Sequence, residues 1–258
     1  MVRLPLISAA LAAALTLAAA PVLAQATPFT APATDAEREA FGAEVRAYLM
    51  ANPQVIFEAV AEFERLQQTA QEDMDTALVE INAEAIFRDS HSWVDGNPEG
   101  DLTLVEFIDY RCGFCRRAHP IVLDLVEGDG NLRRVVKEFP VLGPQSELMS
   151  RFAIAVQQTG GAEAYGDVHT ALMGWQGDIT PDDLGGMAGD LGLDPEAVLA
   201  AMNGDAVTEV LRANYELAQR LQISGTPTFV MGAGDSGELV RGFVPLEVLE
   251  DLAARLRG

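Results

Sequence analysis

The sequence predicts an α/β domain with a block of inserted helices, carried on an N-terminal helical arm. Three observations predict it. Residues 102–139 read as strand, helix, strand, and residues 223–257 read as strand, strand, helix. Between them, Ser146 to Leu221 is helical in pattern throughout, broken only at glycine clusters. Ahead of them, a pattern without internal Pro or Gly runs from Pro53 to about Arg88.

The first residues stand outside this scheme. Arg3 precedes a run, Leu4 to Ala20, that is almost wholly Ala and Leu, and Val22 and Ala24 offer small residues at cleavage positions. Residues 1–24 therefore read as a secretory signal peptide cut before Gln25. The run is short for a membrane span and Pro21 breaks it. Export places the mature protein in the periplasm, where a cysteine pair can persist as a disulfide. Residues 25–33 form a Pro/Thr/Ala linker with no apolar period. The formal charge is −22, and the leader contributes only Arg3, so the remainder is one unit more negative. Such a surface repels phosphate backbones and anionic lipid, and no nucleic-acid or membrane-surface partner is expected.

Residues 34–90 read as a helical arm. Phe41, Val45, Tyr48 and Leu49 share one face of a helix over Ala36–Met50. Asn52 is expected as the cap of a second helix, with Pro53 at its first position. Along that helix Val60, Phe63, Gln67, Ala70, Met74, Ala77 and Ile81 approximate a heptad seam. The helix could pack on the chain's own domain or, through this seam, against copies of itself. The seam's length and narrowness favour copies, because a helix docked on a globule carries a wider apolar face.

Residues 91–258 form the second domain, with residues 146–221 as the helical insertion. Gly96 to Gly100 is a turn cluster. Leu102 to Ile108 suits a buried central strand, and a helix follows from the cysteines to about Val126, with a kink expected at Pro120. Leu132 to Phe139 is a second strand. Thr180-Pro181 and Asp194-Pro195 are helix starts inside the insertion. Thr228 to Met231 and Glu238 to Arg241 are strands, and Pro245 to Arg257 is a closing helix. Gly232, Gly234 and Gly237 fit a dinucleotide fingerprint, but the second strand follows them instead of a helix, so a hairpin turn is expected there.

The chain has two cysteines, both in "DYRCGFCRRAH", Asp109 to His119. A structural zinc site needs four ligands. His119 could join Cys112 and Cys115, while His91 and His169 lie far away in sequence. Transient copper(I) binding by the thiolates stays open. As a staple, the short loop between the cysteines would contribute only about 2 kcal/mol. A redox pair fits best. A strand leads into Cys112 at a helix N-terminus, where free N–H groups favour a thiolate, and Arg111, Arg116 and Arg117 add positive charge. Cys112 is then the nucleophile and Cys115 the resolving thiol. Glu106 lies in the apolar strand six residues earlier. Burial there would raise its pKa and suit it to relay a proton for Cys115; the alternative is an edge-strand glutamate facing water. No cofactor is expected.

"GNPEGDLTLVEFIDYRCGFCRRAHP" resembles the active-site region of the DsbA-like branch of thioredoxin-fold oxidoreductases. "SGTPTF" resembles the second landmark of that branch, a cis-proline facing the sulfurs, at Pro227 after Thr226. The resemblance covers about Gly96 to Gly258 and implies a thioredoxin-like fold. "VRAYLMANPQVIFEAVAEFE" is similar to the oligomerisation helices of exported DsbA-like proteins such as suppressor-of-copper-sensitivity protein C, which implies a dimer or trimer.

Gly113 and Phe114 tune the pair. The strongly oxidising members carry Pro-His there, and Phe114 has no charge to offer a thiolate. Gly-aromatic, and Thr before the cis-proline, resemble the isomerases of the group. The resemblance thus implies a disulfide isomerase acting on exported cysteine-containing clients, with a membrane thiol reductase or oxidase as its redox partner. The alternatives are a disulfide donor and a non-catalytic copper(I)-binding protein or chaperone.

Overall fold

The computed structural model describes residues 34–258; the expected leader (1–24) and linker (25–33) lie outside the described residues. The chain divides after Val60 into two compact units, the second being Ala61–Gly258. Among the described residues no helix is long and apolar enough to cross a membrane.

Helix α1 (Asp35–Ala51) opens with a reciprocal cap. Thr34 Oγ1 accepts from Glu37 N, and the Glu37 carboxylate accepts from Thr34 N, so both ends of the first turn are satisfied. Helix α2 (Gln54–Phe87) follows. Asn52 does not cap it as expected. Its backbone N–H and its side-chain Nδ2 both donate back to Tyr48 O, so Asn52 closes α1 instead. An amide that reaches a free C-terminal carbonyl gains a bond that an N-cap role would forgo.

The seam of α2 and its docked face are different stripes. Val60, Phe63, Met74 and Ile81 are exposed, whereas Val79, Ala83, Ile86 and Phe87 are buried. The buried set recurs at helical spacing and packs with Val105, Phe107, Val135, Leu217 and Leu221. Burying Val79 and Ile86 stabilises this attachment by about 1.5–3 kcal/mol each. Arg241 pins the same helix by gripping both oxygens of Asp75. The C-terminal part of the helix thus packs on the home domain, as one of the two readings had it, through a stripe beside the exposed seam.

Among the described residues five strands form one sheet in the order β1-β3-β2-β4-β5: β1 (Trp93–Gly96), β2 (Leu102–Ile108), β3 (Leu132–Glu138), β4 (Thr228–Ala233) and β5 (Ser236–Arg241). Only β2 and β3 run parallel. Their connection is helix α3 (Gly113–Asp129), which continues through Pro120 and ends where Gly130 takes the left-handed conformation. Strand β1 is absent from the sequence reading. Four residues ending in glycine carry too little alternation to be seen, yet Trp93 is buried and its Nε1 donates to Ala162 O.

Gly232 and Gly237 face each other across the β4–β5 hairpin, and a Cβ on Gly232 would come 2.2 Å from Ser236 O. Close backbone approach explains these glycines.

The insertion holds α4 (Pro144–Gly174), α5 (Pro181–Asp190), α6 (Pro195–Ala201) and α7 (Asp205–Arg220). Prolines at the first positions of α4, α5 and α6, and side-chain caps from Thr180 and Asp194, set their starts. A break inside α4 falls at Gly161, with φ of 85°. Helix α8 (Leu246–Arg257) closes the fold. One sheet face packs against α3, α4 and α8, and the other against α2 and α7.

Candidate active site

Cys112 is the N-cap of α3, with extended backbone, and Cys115 lies in the first turn. Both are free thiols, 7% and 2% exposed. The Thr226–Pro227 bond is cis, and Cys112 Sγ donates to Thr226 O at 3.1 Å. The two landmarks, more than a hundred residues apart, thus meet at one sulfur. Burial raises the Cys115 thiol well above the ordinary range, which keeps it protonated.

Asp109 fixes the turn before the cysteines. It is fully buried. One carboxylate oxygen accepts from Arg111 N, and the other from Val141 N and Leu142 N. Arg116 reaches back along the helix, and its Nε donates to Tyr110 O at 2.8 Å. Phe114 stands outside, 52% exposed, with the Arg117 guanidinium 4.4 Å above its ring and Phe243 beside it.

Glu106 is 2% exposed in the central strand, so the edge-strand alternative is excluded. Its carboxylate accepts a charge-assisted bond from Arg134 Nε. Among the described residues no hydrogen bond joins Glu106 to either sulfur.

Arg134 opens a buried polar cluster that sequence reasoning missed. Its Nη2 lies 3.3 Å from His169 Nε2. A guanidinium only donates, so Nε2 must accept. Burial and Arg134 hold His169 well below its usual pKa, and the neutral ring then carries its proton on Nδ1. That proton goes to Tyr110 Oη at 2.9 Å, and Tyr110 donates to Glu138 Oε1 at 2.7 Å. Tyr165 donates to the same oxygen and Ser150 to the other. His169, distant in sequence, thus lies at the centre, and its ring meets that of His119 at 5.0 Å. The signal that could have found the cluster is the run "RRVVKE", which puts charges into a strand flanked by apolar residues. Among the described residues no three His, Cys, Asp or Glu side chains converge to hold a metal ion.

Burial pushes the Glu138 carboxyl up to about 7, against three hydroxyls that favour its charged form. Between the unfolded value of about 4.3 and that figure, the folded chain binds more protons than the unfolded chain. This contribution is complete below pH ~4.3 and is lost as pH rises through ~7, on the order of 3 kcal/mol. Glu138→Gln removes it. In urea unfolding at a series of pH values, the variant lacks this fall in stability with rising pH. A variant with the wild-type slope would contradict the assignment.

Fold and site together define the class of thiol–disulfide oxidoreductases built on a thioredoxin fold. A DSBA-like thioredoxin domain model matches residues 103–254, more than half of the chain. The chain belongs to that family. A second model, the N-terminal domain of the copper resistance protein ScsC, matches residues 37–70.

Similar solved structures include a thioredoxin-like oxidoreductase from Silicibacter pomeroyi, 40% identical, with TM-score 0.62, covering 68% of this chain and 98% of that one. BcfH of Salmonella enterica Typhimurium is 27% identical, with TM-score 0.73, covering 86% and 97%. A periplasmic thioredoxin-like protein from the same organism is 26% identical, with TM-score 0.60, covering 69% and 97%. The chain spans about a fifth of the length of the curated relatives it matches. One is the Na(+)/H(+) antiporter NhaA 1 of Salinispora arenicola, 30% identical over 138 residues, which are 53% of this chain and 21% of that protein.

Proposed function

We propose that the protein is an oligomeric disulfide isomerase for exported proteins. Reduced Cys112 attacks a wrong disulfide in a client, forming a mixed disulfide. The released client thiol then finds a better partner, or Cys115 resolves the intermediate. Pro227 and Thr226 shape the surface on which the client chain lies, and a membrane thiol reductase keeps the pair reduced.

The observation that carries this reading is the environment of Phe114. Its ring is turned to Arg117 and Phe243, and it has no group to donate to the Cys112 sulfur. A thiolate without that extra stabilisation makes the disulfide less oxidising, which favours rearrangement over donation. The exposed seam of α2 supports the oligomer, since several sites around one space can hold a misfolded client through repeated attempts. The sequence of residues 1–24 and the periplasmic Salmonella neighbour support export.

The test uses scrambled ribonuclease and light scattering. The wild type runs as a dimer or trimer and restores ribonuclease activity. Val60→Glu/Phe63→Glu, which places charge on the seam, gives a monomer with at least ~10-fold lower reactivation. Its exchange with a small disulfide stays unchanged. A wild-type monomer refutes the oligomer. Activity only toward reduced ribonuclease refutes the isomerase reading and indicates a donor.

A further inference from the structure

Beside the nucleophile stands a positive charge that the rest of the chain leaves unanswered. The chain has 39 Asp and Glu against 17 Lys and Arg, so carboxylates are plentiful. On the helices Arg65, Arg151 and Arg212 each hold one three or four residues away. Arg117 does not. Gly113, Phe114, Pro120 and Ile121 occupy those positions around it on α3. It is exposed, and among the described residues it forms no ion pair and donates no side-chain hydrogen bond. Its basic neighbours are engaged: Arg111 with Gly177 O and Asp178, and Arg116 with Tyr110 O.

The Arg117 guanidinium is held in place all the same. It lies 4.4 Å from the Phe114 ring centroid and 5.2 Å from that of Phe243. Contact with ring faces fixes a guanidinium without using its five N–H donors. The aromatic pair borders the nucleophile from two directions. Phe114 is two residues from Cys112, about 3 Å of helix rise. Phe243 follows Gly242, whose N–H donates to Pro227 O at 2.9 Å, and Cys112 Sγ donates to Thr226 O next door. A client joined to Cys112 places the residues one and two positions from its own cysteine about 3–7 Å away, within reach of this patch.

We propose that Arg117, held against Phe114 and Phe243, is a subsite that selects clients with an Asp or Glu one or two residues from the cysteine under attack. This rests on the redox reading of the cysteine pair and adds the class of client segment the site takes. The guanidinium donates to the client carboxylate, and the rings cover the apolar atoms beside it. Charge decides the occupant: the patch offers cationic donors that lack an acceptor, and only an anionic segment supplies one. Elsewhere the acidic surface repels such a segment, so the preference is local to this patch.

The experiment reacts the reduced full-length protein with disulfide-linked dimers of two short peptides, one with Glu and one with Lys on either side of its cysteine. Chromatography of acid-quenched samples gives the rate at which peptide thiol is released. The small neutral thiol 2-mercaptoethanol, in place of the protein, gives the intrinsic Glu-to-Lys ratio. Taking a ratio cancels any change that a variant makes in the Cys112 sulfur itself. In the wild type at low salt the ratio exceeds the intrinsic one about 3–5-fold. Arg117→Gln removes the excess, Arg117→Lys keeps part of it, and Arg117→Glu reverses it. In ~1 M NaCl the wild-type excess disappears, a result that needs no variant. Repulsion by the acidic surface alone would do the opposite: the ratio would start below the intrinsic one and rise with salt, which overturns the proposal. An equal ratio in wild type and Arg117→Gln, expected if the acidic surface of a second copy fills the patch, also overturns it. Failure of the wild type to react with either peptide refutes the redox reading, and the subsite falls with it.

Discussion

Cys112→Ser leaves no measurable thiol–disulfide exchange, a loss of ~10³-fold or more, while the fold persists. A serine hydroxyl stays un-ionised at neutral pH and does not attack a disulfide. The site also predicts an asymmetry. Cys115→Ser keeps the first step, because Cys112 still attacks, but stalls at the mixed disulfide. Mass spectrometry after mixing with oxidised glutathione checks both: no adduct in the first variant and a persistent adduct in the second. Equal activity in Cys112→Ser and wild type would leave only a binding role for the pair.

Arg134→Met destabilises the protein by about 3–5 kcal/mol. The change removes the partner of Glu106 and leaves that carboxylate buried alone in the central strand. It also frees His169 Nε2 and takes away the charge stacked over Trp93. Adding Glu106→Gln recovers part of the loss, because the orphaned charge is gone. Guanidinium unfolding of the single and double variants measures the coupling. A loss below about 1 kcal/mol in Arg134→Met would show that Glu106 does not depend on this arginine.

The parts legible in the sequence are those that local rules dictate. The apolar run before Cys112 marked the central strand, Thr180-Pro181 and Asp194-Pro195 marked helix starts, and the paired glycines after β4 marked a hairpin. The buried cluster was not legible, because Tyr110, Arg134, Glu138, Tyr165 and His169 come from three segments and nothing local links those segments. Asn52 was misread for a related reason. A residue that can cap the following helix can also close the preceding one, and only geometry chooses. The docked face of α2 lay beside the seam on the same helix, and sequence alone does not rank two stripes that share one apolar composition.

Asp109 gives the site a mechanical character. A single buried carboxylate ties the amide of Arg111 to those of Val141 and Leu142, and its own carbonyl accepts from Cys112 N. The turn before Cys112 and the loop after β3 are one strut with a shared joint. Leu142 is exposed on that loop. Any displacement of that loop is therefore passed through one carboxylate to the turn that carries Cys112.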